Sequence, residues 1–216
     1  MNWFQSIKNF FSNNNNKINK IDYEDLDIDE RMQIVDEMKL SKDLKTNLKN
    51  IKKIMGDSFD LNIRKFKVGE KGIEGAAVYM SGLTESSEIS DILESIEIEL
   101  VKVESDKGNS SVIFSKILNK VLNNKSVKEI ETIKKVLNNI TFGATAILLD
   151  GVNKAILCET KGFEIRNMSE PENEVSIRGP RDGFVENIFT NTSLLRQRIR
   201  VPDLWFQSVK IGSLSN

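Results

Sequence analysis

A mixed α/β fold is what this sequence predicts, and three observations carry the prediction. Hydrophobic spacing switches repeatedly between the helical period of about 3.6 and the strand period of about two. Gly and Asp-Gly punctuate the strand-like runs, and Ser residues open most of the helix-like ones. The two kinds of segment alternate, so the class is α/β or α+β, arranged as two small α/β subdomains joined by a connector, the second of them incomplete. With 216 residues, 39% hydrophobic and 11 Phe, there is material for a real core. The expected boundaries are an amphipathic arm and Asn-rich linker over 1–20, a first subdomain with a mixed sheet and flanking helices over 21–167, a connector over 168–183, and the start of a second subdomain over 184–216.

In chain order, Trp3, Phe4, Ile7, Phe10 and Phe11 mark one face of an N-terminal helix. That arm reads either as a membrane-surface or partner-docking helix or as a terminal helix folded back on its own domain. Ser12 to Lys17 is a polar linker. Tyr23 to Glu30 is acidic, and Met32, Val35, Leu40, Leu44, Leu48, Ile51 and Met55 then recur at helical spacing, with Ser41 as the expected N-cap and Gly56 as the C-cap. Leu61, Ile63 and Phe66 alternate with polar residues, Gly69 and Gly72 turn the chain, and Ala76 to Met80 runs apolar, which is a strand, a turn and a strand. Ile89, Ile92, Leu93 and Ile96 give a helix opened by Ser86 or Ser87. Ile113, Phe114, Ile117, Leu118, Val121 and Leu122 give another, capped by Ser110 or Ser111. Ser126-Val127-Lys128-Glu129 has the spacing of a capping box, with Val127, Ile130, Ile133, Val136 and Leu137 on the buried face of the helix it would open. Thr141 to Leu149, the turn Asp150 to Asn153, and Lys154 to Thr160 form a hairpin, followed by a short strand at Phe163 to Ile165. Met168 to Arg181 lacks periodicity and contains Pro171 and Pro180. Phe184, Ile188, Leu194, Leu195 and Ile199 give a helix, and Leu204 to Ile211 a strand, after which the chain is expected to stop part-way into its second unit.

Composition removes many chemistries. There is no His, so no Ser-His-Asp triad, Cys-His dyad or His-ligated zinc can be assembled from this chain. The single Cys, Cys158, makes no intramolecular disulfide and fits a reducing compartment. The 31 basic and 32 acidic residues leave a net charge of −1, which offers no nucleic-acid footprint over the whole chain. No apolar run approaches the roughly 20 residues that cross a bilayer.

Gly69 to Gly75 has neither Walker nor dinucleotide spacing and joins two strands, so it reads as a hairpin turn. Glu24 to Glu30 lacks the Gly and Glu positions of a calcium loop. Glu97 and Glu99 are not distinguished from a polar face. No catalytic residue, cofactor or metal site is expected. Arg178-Gly179-Pro180-Arg181-Asp182-Gly183 sets two guanidinium groups before a helix N-terminus, where a carboxylate or phosphate can bind. The favoured alternative pairs Arg178 and Arg181 with Glu170, Glu172 or Glu174. Arg196, Arg198 and Arg200 end that helix, and there cations complement the helix dipole.

Ser169 to Glu174, Ile177 to Glu186 and Asn191 to Ile199 closely resemble the signature of the A subunit of GerA-type spore germinant receptors. The likeness extends more loosely upstream through Asn47-Leu48, Phe59-Asp60-Leu61, Arg64, Ala76 to Leu83, and Leu148-Leu149-Asp150-Gly151. It departs where the family commonly has a proline and this chain has Ile96-Glu97-Ile98. The resemblance implies the N-terminal region of a receptor subunit on the cytoplasmic, spore-core side of the inner membrane. It implies partner B and C subunits, self-association through the A subunit, response to nutrients with ion release, and a role in assembly or transmission rather than catalysis. It makes Arg178, Gly179, Pro180, Arg181, Asp182, Gly183, Glu186, Asn191, Arg196 and Arg198 the candidates for ligand contact or interdomain coupling. The alternative is a stand-alone module binding a small carboxylate or phosphate.

Overall fold

The computed structural model describes residues 27–69, 72–101, 109–121, 126–162 and 184–209. The N-terminal arm, the strand at Phe163 to Ile165 and the connector lie outside the described residues. The chain forms two compact units, Met1–Glu37 and Met38–Asn216.

In the first unit, α1 (Ile28–Glu37) opens on a reciprocal cap: the Glu30 amide donates to Asp27 Oδ1 at 2.8 Å, and the Asp27 amide donates to Glu30 Oε2 at 3.4 Å. The end of the acidic run, Asp27 to Glu30, is therefore a helix start. Carboxylates suit it because the first turn presents free N–H groups and the positive end of the dipole.

The second unit is built on five strands, β1 (Leu61–Val68), β2 (Ile73–Met80), β3 (Val127–Ile130), β4 (Ala144–Leu149) and β5 (Ala155–Glu159), in the order β1-β2-β4-β5-β3. All four pairings are antiparallel, in place of the expected mixed sheet. Two hairpins, β1–β2 and β4–β5, meet back to back, and β3 pairs with β5, so no parallel neighbours arise. At Gly69 the chain takes φ +70° and its carbonyl accepts from the Gly72 amide at 3.0 Å, closing the first hairpin; Gly151, at φ +85°, turns the second.

Strand residues alternate between two helical layers. Phe66, Val68, Ala77, Ile147, Leu149, Ile156 and Cys158 face α3 (Ser86–Val101), α4 (Ser110–Lys116) and the π-helical turn Ile117–Val121. The opposite face packs α2 (Leu44–Met55) and α5 (Ile133–Ile140) against β2, β4 and β5. Both β4 and β5 are almost wholly buried because each face of the sheet carries helices. The helix α3 runs unbroken through Ile96-Glu97-Ile98.

Three caps differ from expectation. In α2 the N-cap is Asp43, whose carboxylate accepts from the Thr46 amide at 2.8 Å; Ser41 sits further upstream and its hydroxyl accepts from the Asp43 amide. In α4 the N-cap is Asn109, already extended at φ −87°, while Ser110 and Ser111 are helical. The third difference is larger. Ser126 to Glu129 does not open a helix: Val127–Ile130 is the edge strand β3, and α5 starts at Ile133 with Thr132 as its cap. The Val-x-x-Ile spacing serves either structure. Pairing with β5 wins, because Glu129 meets Lys154 at 2.6 Å and the strand closes the sheet.

Candidate functional site

The last helix among the described residues, α6 (Ile188–Arg198), is fixed at its start by Asn side chains. Asn187 caps it, accepting from the amides of Phe189 at 2.9 Å and Thr190 at 3.4 Å. Asn191 pins the preceding loop by exchanging two hydrogen bonds with Val185: the Val185 amide donates to Asn191 Oδ1 at 2.8 Å, and Asn191 Nδ2 donates to the Val185 carbonyl at 2.6 Å. Glu186 is exposed in that loop.

At its other end α6 sends Arg196 into the protein, where it is fully buried beside Asp60, itself 2% exposed. Arg196 Nε donates to Asp60 Oδ2 at 2.8 Å, and Nη2 donates to Asp60 Oδ1 and to Ser58 Oγ, both at 3.2 Å. The remaining nitrogen, Nη1, donates to the Val201 carbonyl at 3.3 Å, and the guanidinium lies 4.9 Å from the centroid of Phe206. Ser58 completes the set, donating to Asp60 Oδ1 at 2.6 Å and accepting from the Phe206 amide at 2.8 Å. Desolvating two charges costs several kcal/mol each, so such a pair persists only with its remaining hydrogen bonds made. Here they are: no buried side-chain nitrogen or oxygen among the described residues lacks a partner.

The same corner is reinforced by the chain after α6. Phe59 donates its amide to the Phe206 carbonyl at 2.9 Å, and the rings of Phe189 and Phe206 lie 5.8 and 5.9 Å from that of Phe59. Trp205 Nε1 donates to the Ile54 carbonyl at 3.0 Å, and the indole covers Gly56, the left-handed C-cap of α2. A Cβ at Gly56 would lie 2.1 Å from the Trp205 ring; one at Gly82 would lie 1.9 Å from Ser193 Oγ. Both turns are therefore shaped to receive α6 and its extension. Leu204 to Val209 runs without strand pairing, contrary to expectation, because these residues bond to the 54–59 turn.

Arg196 is thus a buried clamp and not a dipole complement at a helix end. Arg198 is exposed in the last turn, and Arg200 stacks over the Phe142 ring at 4.6 Å. Phe142 lines an open cleft of about 640 Å³ whose walls include Glu85, Glu88, Glu159 and Lys161. Arg178, Gly179, Pro180, Arg181, Asp182 and Gly183 lie outside the described residues. Asp60 and Ser58 were missed as candidates. Their signal was faint: Asp60 is an acid directly before a strand, and its partner lies 136 residues away. Among the described residues no group of His, Cys, Asp and Glu could hold a metal, and no helix is long and apolar enough to cross a membrane.

Residues 49–216 match the family model described as Bacillus/Clostridium GerA spore germination protein. The chain is 36% identical over 178 residues to spore germination protein KA of Bacillus subtilis, covering 82% of this chain and 32% of that protein. It is 29% identical over 191 residues to the uncharacterized membrane protein YfkQ of Bacillus subtilis, covering 86% of this chain and 36% of that one. Among solved structures, the N-terminal domain of the A subunit of the Bacillus megaterium spore germinant receptor GerK3 superposes with a TM-score of 0.61 at 27% identity, over 82% of this chain and 62% of that one. The chain thus spans about a third of the length of the curated relatives it matches. With the A-subunit fold, the family match and the clamp in one unit, this chain belongs to the GerA spore germination family, in the region of the A-subunit N-terminal domain.

Proposed function

We propose that this chain works in a membrane-bound germinant receptor of the spore, assembling or transmitting a signal with B and C subunits and further A subunits, from the cytoplasmic, spore-core side of the inner membrane. It is a coupling element and not a catalyst. The observation that carries this reading is the buried Arg196–Asp60 clamp, which ties α6 to the residue directly before β1. In this reading 21–167 is a first subdomain, 168–183 the connector, and 184–216 the start of a second. Support comes from Phe184, Ile188 and Phe189, which are 69%, 61% and 61% exposed: apolar residues of this kind suit a further packed unit, and part of the GerK3 domain lies beyond the matched region.

The test is nutrient germination of spores that depend on the full-length receptor alone. Asp60→Ala is expected to abolish or slow germination at least tenfold, and the apolar pair Asp60→Leu with Arg196→Met to restore part of it. Wild-type germination by Asp60→Ala spores, with every nutrient tried, would refute the coupling role.

A further inference from the structure

Strand β1 stands at one edge of the sheet and is 8 residues long, against 4 for β3 at the opposite edge. Its register determines which backbone groups the edge presents. The Ser81 amide donates to the Asp60 carbonyl at 2.8 Å, and these two residues stand opposite each other when the β1–β2 register is extended by one pair. Hydrogen-bonded and non-bonded pairs alternate along an antiparallel ladder, so Asn62, Arg64, Phe66 and Val68 bond to β2. Ile63, Lys65 and Lys67 therefore turn their amides and carbonyls outward. The amide of Leu61, in the same outward set, is taken by the Ser58 carbonyl at 3.0 Å. Among the described residues no strand pairs with this edge.

The side chains give this edge a single sign of charge. Strand β1 carries Arg64, Lys65 and Lys67, all exposed, and no acidic residue. None of these cations makes an ion pair among the described residues. On β3, by contrast, Glu129 follows Lys128 and is itself paired with Lys154 at 2.6 Å. Lysines on an edge oppose pairing between identical copies, because like charges directly opposite are destabilising. A second copy's β1 is thereby disfavoured as the occupant, and a strand of opposite charge is favoured. Lys65 and Lys67 project from one face two residues apart, which is the side-chain repeat of an extended chain. Acidic residues at alternate positions of an added strand would each meet one of them.

We infer that the outer edge of β1 is a docking site for an extended acidic segment of a partner protein, which adds a further strand to the sheet alongside Ile63 to Lys67. Backbone hydrogen bonds supply the affinity, and the cations select the charge of the segment. The inference stands apart from the germination role proposed above.

The test is titration of the full 216-residue chain with a short, end-capped peptide in which Glu alternates with Val, read by calorimetry and by amide hydrogen exchange. Saturable binding is expected, with exchange slowed at the amides of Ile63, Lys65 and Lys67, and no binding of the same peptide with Lys in place of Glu. The variant K65E/K67E is expected to bind the Glu peptide about tenfold or more weakly and to gain binding of the Lys peptide. Methylating alternate backbone nitrogens of the Glu peptide keeps its charge and removes half of its donors. Methyl groups on the set facing β1 are expected to abolish binding, and those on the other set to be tolerated. The methylated peptides need no protein variant, so the test survives if K65E/K67E fails to fold. Three results would overturn the inference: no binding of the Glu peptide, equal binding of the two methylated peptides, which would reduce the contact to charge attraction, or undiminished binding by K65E/K67E, which would assign the peptide to another surface.

Discussion

Single residues decide how α6 is held. Arg196 and Asp60 are buried together, and removing one partner leaves an uncompensated charge, which typically costs about 3–5 kcal/mol. Urea denaturation of Asp60→Ala is expected to show a loss of that order, with Asp60→Leu plus Arg196→Met recovering most of it; a loss below about 1 kcal/mol would mean that the corner relaxes around the orphaned guanidinium. At the start of α2, hydrogen bonds from the Thr46 hydroxyl and amide hold the Asp43 carboxyl below its ordinary value of 3.8. A depressed carboxylate stabilises the fold fully above that unfolded value and loses the contribution as pH falls through the lower folded one. Asp43→Asn keeps the cap without the charge, so its melting temperature should fall below wild type at neutral pH and converge with it in acid. The sequence offers Ser41 in place of Asp43 as the cap, and it makes Arg196 both a dipole complement and, through the resemblance, a coupling candidate, but nothing local to Arg196 names Asp60 as its partner.

A long hydrophobic pattern determines its element, whereas a short spacing shared by helix and strand does not. The α2 periodicity, its Gly56 terminus, both hairpins and α3 follow from local sequence, because burial of a stripe or an alternating face is written into consecutive residues. Val127 to Ile130 is the counterexample. Its Ser-x-x-Glu spacing matches a capping box, yet the strand is stabilised by the β5 backbone and by Lys154 just before it, both invisible from residues 126–137. The reciprocal cap that does form, Asp27 with Glu30, sits at the end of the acidic run, directly before the first helical residues. At this scale the docking of residues 201–206 is testable through Gly56. Gly56→Ala adds a Cβ at φ +61° into the Trp205 ring, so the indole is expected to leave its seat and its fluorescence to shift to the red, with α2 losing its C-cap. An unchanged spectrum would show that the indole is not seated on Gly56 in solution.

For the whole molecule, the clamp exists because residues distant in sequence are brought together at one corner of an antiparallel sheet. The sequence by itself determined the mixed α/β class, most helices and strands, the absence of histidine chemistry and the likeness to germinant-receptor A subunits, because periodicity, composition and motif spacing are local properties. The tertiary structure alone decided the strand order, the antiparallel pairing, the choice between cap and strand at Ser126 to Glu129, and the meeting of Arg196 with Asp60 across 136 residues. Those outcomes depend on which distant surfaces bury each other, and a buried ion pair forms only where the fold supplies both the charge and every remaining hydrogen bond.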